Sequence, residues 1–370
     1  MSVDDRIRTG ISLIGDELPA VDTREAYGAI IDGVARQRRR RRIAVAVAAA
    51  AVVAAITMVT TRHADDTPSP APPVDSTDWI TYTKDSGSSY VLTYLDPDRN
   101  TAEDAPVPGA VGGGFASWSP DGSRLVYGYD SDDDGLADAW VADADGSHAR
   151  RVFDCNDPCS DPSPAGWSPD GEQLALGIWT AGGRHSSLAI VDLGGDTTTL
   201  LPVPAGWLVD SPSWSPDGTL LLVNVVRVAA DDTWVSQRLA TLDPGVGWSS
   251  LHYLTPPGLP TGSPDWSPSG AQIAFTAGSS DPLQNGTLSN LYVINADGTG
   301  LTQLTHERAR VRGVVDVEWG HGDLPFLVTL SHRAGESLTL ARISLDGTRI
   351  EEIRDGDGNA VEGWTPTERY

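Results

Sequence analysis

The densest chemistry in the chain is the carboxylate run Asp130-Ser-Asp-Asp-Asp-Gly-Leu-Ala-Asp138, with five acids in nine residues. Charges that close repel one another strongly unless a counter-ion sits among them. Asp130, Asp132 and Asp134, followed by Gly135, match the first half of a calcium loop, and Asp138 falls at a further ligand-like position. Position twelve is Val141, so the bidentate acid that closes such a loop is missing. Calcium held by these four aspartates and a plain Asp/Gly-rich hairpin both fit the segment. A second pair of reactive side chains, Cys155 and Cys159, stands in Cys-Asn-Asp-Pro-Cys. Two thiols without a neighbouring histidine cannot complete a structural zinc site, and the spacing is not the redox-type Cys-x-x-Cys. They read as a short disulfide that stiffens a loop, which belongs in an oxidising compartment.

Elsewhere the means for catalysis are sparse. His63, His148, His185, His252, His306, His321 and His332 are scattered without ligand spacing, and no Gly-x-Ser-x-Gly elbow occurs. The formal charge is -25, divided unevenly: residues 1–42 hold nine arginines against seven acids, leaving 17 basic and 44 acidic residues beyond. A body that acidic repels phosphate backbones, which excludes nucleic acid as its partner.

Placing these groups requires the topology of the chain. Ile43 to Thr61 are uncharged and mostly apolar, long enough to span a hydrocarbon core of roughly 30 Å as one transmembrane helix. Arg38 to Arg42 precede them directly, and positive flanks stay cytoplasmic. We expect an uncleaved signal anchor, with residues 1–42 inside, residues 62–77 as a proline-rich stalk and residues 78–370 outside the cell membrane. In the tail, Ile7, Ile11, Ile14 and Leu18 recur at helical spacing, and Tyr27, Ile30, Ile31 and Val34 form a second apolar face. Two short amphipathic helices cannot bury such faces alone, so a cytoplasmic partner or the membrane surface should cover them.

Beyond the stalk the chain repeats. Trp-Ser-Pro-Asp-Gly begins at Trp118, Trp167 and Trp214, and Trp-Ser-Pro-Ser-Gly at Trp266. Proline presets the first turn torsion, Asp or Ser bonds nearby backbone, and glycine takes the positive φ that closes a hairpin. Apolar runs follow each turn, from Leu125, Leu174, Leu220 and Ile273, without strict alternation, as expected of strands covered on both faces. Four short strands in each period of about 40 to 50 residues make the blade of a β-propeller. Trp319 marks a decayed fifth copy and Trp364 a last one at the chain end, whereas the segment from Trp79 has no preceding Trp turn. Joining the two ends gives an all-β, six-bladed propeller of four-stranded blades, its ring closed by N- and C-terminal strands.

These turns, with the segment Leu291-Tyr-Val-Ile-Asn-Ala-Asp-Gly298, resemble the repeats of TolB-type six-bladed propellers. The likeness implies the fold, and much less the function. The periplasmic protein that names the family has a further N-terminal domain, for which the stalk leaves no room, so its role in envelope maintenance is not carried over. An arginine-rich tail, Ala-rich anchor and outer propeller together resemble actinobacterial membrane proteins. Similar short tails occur in regulators of extracytoplasmic-function sigma factors, although the Cys/His zinc motif common in anti-sigma domains is absent here.

Segments entering the innermost strands should approach the central channel, and they contain Gly112 to Gly114, Asp210, Gly262, Arg312 and Asn359. That mixed set suits water or a ligand better than a metal triad. Trp207-Leu208, Trp234 and Trp248 either form a recognition surface or pack between blades. The expectation is a non-catalytic binding or sensing module for an envelope protein, peptide or glycan, signalling through its tail and needing no cofactor other than calcium. The alternative is a hydrolase or lyase of envelope saccharides, with acids such as Asp210 converging in the channel.

Overall fold

The structure, a computed structural model, describes residues 79–369 except 86–89, 97–99, 108–114, 132–135, 157–158, 163–165, 181–185, 230–233, 279–288, 307–311, 321 and 333–336. The expected tail, membrane span and stalk therefore lie outside the described residues, and among those described no helix is long and apolar enough to cross a membrane.

Six antiparallel sheets follow one another along the chain. Their innermost strands are Ala116–Trp118, Gly166–Trp167 with Cys159–Pro162, Trp207–Trp214, Thr261–Trp266, Arg312–Trp319 and Trp364–Glu368. Each of these touches the innermost strand of the next sheet, and Trp364–Glu368 touches both Arg312–Trp319 and Ala116–Trp118, so the ring is closed. This is a six-bladed β-propeller, and we number the blades from the one that begins with Ile80–Asp85. In the third blade the innermost strand is broken into two pieces, both paired to Gln173–Thr180.

The repeated pentapeptide builds the turn from innermost to second strand. In the second blade Ser119 Oγ donates to Asp121 Oδ1 at 2.6 Å and accepts the Arg124 N–H at 2.9 Å, while Gly122 adopts φ 64°. The Ser119 hydroxyl, followed by the Ser123 N–H, holds the Asp121 carboxyl down at about 2. The same bonds recur at Ser168/Asp170 and Ser215/Asp217. Second strands are buried along most of their length, as at Leu125–Gly128 and Leu221–Val226, because neighbouring blades cover both faces.

Ring closure follows the expected strand exchange with one correction. Trp118, Trp167, Trp214, Trp266 and Trp319 pair with Leu125, Leu174, Leu221, Ile273 and Phe326 respectively. In the first blade the corresponding Ile80 pairs with Glu368, and Trp364 lies opposite Thr83 at the other end of the strand. The repeat position therefore holds a buried glutamate, paired with Arg342 of the sixth blade, rather than a tryptophan.

Where innermost strands crowd the axis, side-chain size is limiting. A Cβ on Gly166 would lie 2.5 Å from the Pro212 carbonyl oxygen and 3.0 Å from Ser213 Cα, both backbone atoms of the next blade. Gly166→Ala should destabilise the fold by about 2 kcal/mol, since neither backbone can yield without moving its blade. Chemical denaturation measures this, and an unchanged midpoint would contradict it.

Candidate functional site

The innermost strands, which surround the axis, carry an uneven set of acidic side chains. Asp210 lies in the fourth blade, Asp265 in the fifth, and Asp316 and Glu318 in the sixth. Bulges interrupt the pairing of these strands between Asp210 and Ser213, between Gly262 and Asp265, and between Val314 and Asp316. A bulge bends its strand and re-aims side chains. Ser211 and Ser263, each before a proline, take positive φ of 49° and 43° within the first two bulges, a strained state for residues with a side chain.

Hydrogen bonds tie these acids from blade to blade. Asp265 Oδ2 accepts the Trp319 N–H at 2.8 Å, and its Oδ1 accepts the Trp266 N–H at 2.9 Å and the Ser213 hydroxyl at 3.4 Å. One carboxylate thus joins three blades. Glu318 repeats the arrangement at the closure, accepting the Glu368 N–H at 3.1 Å and the Thr367 hydroxyl at 3.2 Å. Glu368 in turn pairs with Arg342, and Arg369 Nε donates to the Gly122 carbonyl at 2.7 Å.

The electrostatics of the row favour protons. Burial pushes the Asp210 carboxyl up to about 6 against the lowering by Asn224 and Ser211. Asp265 also rises to about 6, chiefly by burial, with Asp316 adding repulsion. Burial raises Asp316, and it raises Glu318 well above the usual carboxylate range with help from the charges of Asp265 and Glu368. Asp210 Oδ1 is buried without a hydrogen-bond partner. None of the four carboxylates makes an ion pair with a lysine or arginine side chain among the described residues.

Of the residues singled out in the sequence, Asp210 joins this row and Gly262 occupies a bulge beside it. Arg312 begins an innermost strand. Asn359 instead sits in an exposed turn, donating its backbone N–H to Asp355 Oδ1, and Gly112 to Gly114 lie outside the described residues. Asp265, Asp316 and Glu318 escaped the sequence reading, although two of them occupy a readable column: Asp265 and Glu318 immediately precede the repeat tryptophans Trp266 and Trp319.

The aspartate run is distributed differently. Asp138 is buried, with Oδ1 accepting the Cys155 N–H at 2.9 Å and Oδ2 facing Ser131 at 3.0 Å and Arg151 at 3.3 Å. Asp130 follows the strand Arg124–Tyr129 directly. Asp132 and Asp134, the rest of the expected calcium set, lie outside the described residues. Among those described, no three His, Cys, Asp or Glu side chains are placed to share a metal ion. Cys155 and Cys159 form the disulfide, with Cα atoms 5.3 Å apart, between the outermost strand of the second blade and the first piece of the third blade's innermost strand. The Asp138 bond to Cys155 anchors that bridge to the second blade.

No family model and no curated protein matches the chain by sequence. Among solved structures it is similar to TolB from Acinetobacter baumannii, with 17% identity, a TM-score of 0.58, and 80% of this chain and 68% of that one covered. It is also similar to a TolB of Agrobacterium tumefaciens described as putative, at 15% identity and a TM-score of 0.52, covering 80% of this chain and 100% of that one. A structure of a Nidogen/Laminin complex matches at 10% identity and a TM-score of 0.55, over 79% of this chain and 98% of that one. These likenesses establish a six-bladed propeller fold of TolB type.

Proposed function

We propose that this TolB-type propeller is a non-catalytic binding module whose axial carboxylates receive a positively charged group of an extracytoplasmic protein or peptide. The observation that carries this reading is the set Asp210, Asp265, Asp316 and Glu318, drawn from three consecutive blades and lacking a described cationic partner. Fixed, partly desolvated carboxylates attract a cation more strongly than exposed ones, because less solvent screens them. The fold supports protein recognition too, since a similarly folded structure is that of the Nidogen/Laminin complex. In the full reading, residues 43–61 anchor the chain with its N-terminus cytoplasmic, the propeller works outside, and residues 1–42 dock a cytoplasmic partner.

Isothermal titration of the full-length chain with trilysine tests the site. We expect binding at pH 8 that weakens at pH 5, where the raised carboxyls take up protons, and that falls at least tenfold in an Asp210→Asn, Asp316→Asn double variant. Binding unchanged in that variant, or none at pH 8, would overturn the reading.

A second reading, a hydrolase or lyase of envelope saccharides, has one observation in its favour. The charge of Asp316 raises Asp265 and that of Asp265 raises Glu318, and a carboxyl titrating near 6 suits a general acid. Against it, both oxygens of Asp265 and those of Glu318 are already engaged by backbone N–H groups, which leaves little freedom for proton transfer. Release of new reducing ends from cell-envelope polysaccharide, lost in Asp316→Asn, would establish this second reading over the first.

A further inference from the structure

At the seam between the third and fourth blades, aromatic and cationic side chains gather on one sheet face. Trp207 lies 5.7 Å from Trp248 and 6.4 Å from Tyr253, ring centre to ring centre. The Arg227 guanidinium stands 5.6 Å over Trp207, and that of Arg238 stands 3.9 Å over Tyr253. Strand register explains the grouping, because Trp207, Arg227 and Ser236 lie opposite one another across three strands, and Arg238 follows two residues on. Arg238 is anchored by its Nε–H bond to the Thr255 carbonyl at 2.7 Å, whereas Arg227 is exposed and makes no ion pair with a described residue. In a protein with 51 acids and 26 bases, an arginine kept on an indole without a carboxylate is an unmet positive charge.

The same two blades expose apolar surface and backbone. Leu200, Val235 and Val246 are each more than half exposed, and all three belong to these two blades. The third strand of the fourth blade, Trp234–Leu242, is nine residues long, but its outer neighbour His252–Tyr253 pairs only with Ala240 and Thr241. Among the described residues, 234–238 therefore present an edge with no outer strand. An open edge accepts an extended chain, and alternate side chains of that chain then fall on one face.

The geometry points to this seam as a docking site for an extended acidic peptide segment of a partner protein, lying along residues 234–238 with carboxylates toward Arg227 and apolar side chains against Trp248 and Val246. Charge complementarity selects the acidic segment. A peptide is favoured over an anionic glycan because guanidinium groups already cover the Trp207 and Tyr253 rings, which a sugar would need bare, while the edge offers backbone N–H and C=O groups.

Selection of a randomised twelve-residue peptide library on the full-length chain tests this. We expect retained peptides to be enriched in Asp or Glu alternating with aliphatic or aromatic residues. A synthetic copy of the most enriched peptide should lose at least tenfold in affinity, by fluorescence anisotropy, on Arg227→Glu, and should protect the outward-facing amide of Gln237 from hydrogen exchange. Arg227 is exposed, so the variant should keep the thermal midpoint of the unsubstituted chain; Arg238→Gln serves as the second variant. Affinity retained in the axial Asp210→Asn, Asp316→Asn variant separates this site from the axial one. No acidic enrichment, affinity unchanged in both seam variants, or displacement of the peptide by glucuronic acid oligomers would overturn the proposal.

Discussion

Deleting residues 364–370 from the full-length chain is expected to abolish the cooperative thermal transition of the propeller. The deleted strand is the innermost one of the first blade and, among the described residues, pairs with Ile80–Asp85 on that side, so Ile80–Asp85 would become a bare edge at the ring axis. Buried Ile80 and Tyr82 would lose cover. Glu318 would lose the N–H and hydroxyl that it accepts, Arg342 its carboxylate, and Trp118 the Arg369 guanidinium that stands 5.2 Å over its ring. A ring that cannot close also leaves the first and second blades unjoined at the axis. Scanning calorimetry should show a broad, weak transition with aggregation in place of a sharp one. A milder variant isolates the ion pair: Glu368→Gln leaves the Arg342 charge against a neutral group and should cost about 3 kcal/mol. The same glutamate explains Gly320, where a Cβ would lie 2.4 Å from Glu368 Oε2. If the truncated chain melted within a few degrees of the intact one, closure by strand exchange would not be what holds the ring.

How much of this was legible beforehand depends on whether a feature is local. The turns were, because Ser119, Asp121 and Gly122 satisfy one another within four residues and any copy of the pentapeptide does the same. So was the short disulfide, which spans five residues. The strand exchange was legible from a count of missing and surplus strands, yet its register was not. Trp364 matched the repeat by residue type, whereas pairing places Glu368 there, 49 residues after Trp319 and closer to the other intervals. The axial site was legible only in Asp210. The residue before each repeat tryptophan is Ser117, Gly166, Ser213, Asp265 or Glu318, so no motif announces a site. Its acids come from three strands about fifty residues apart in sequence and meet only because the ring sets blade beside blade. The seam is similar: Trp207 and Trp248 stand out as tryptophans, but their link to Arg227 and Arg238 exists only across paired strands.

The axial row predicts a stability change whose sign depends on pH. The Asp210 carboxyl titrates near 6 in the folded chain, above its ordinary value of 3.8, because burial disfavours its charge. Below about pH 4 it is protonated whether the chain is folded or not and contributes nothing. Between about pH 4 and pH 6 the folded state holds the proton more tightly, so stability falls as pH rises, and above the folded value the full cost remains. A rise from 3.8 to about 6 corresponds to about 3 kcal/mol. Asp210→Asn removes the charge at a position whose Oδ1 has no partner to lose. The variant should therefore gain about 3 kcal/mol at pH 8, or about 6 °C in Tm for a domain of this size, and nothing at pH 4. Thermal melts of both proteins across that range decide it. A carboxylate that lowers stability at neutral pH, in a protein with acids to spare, is what a binding row maintained for a cation would show. Equal Tm values at pH 8 would mean that solvent in the channel already relieves the charge, and the row would lose its claim to hold a desolvated cation.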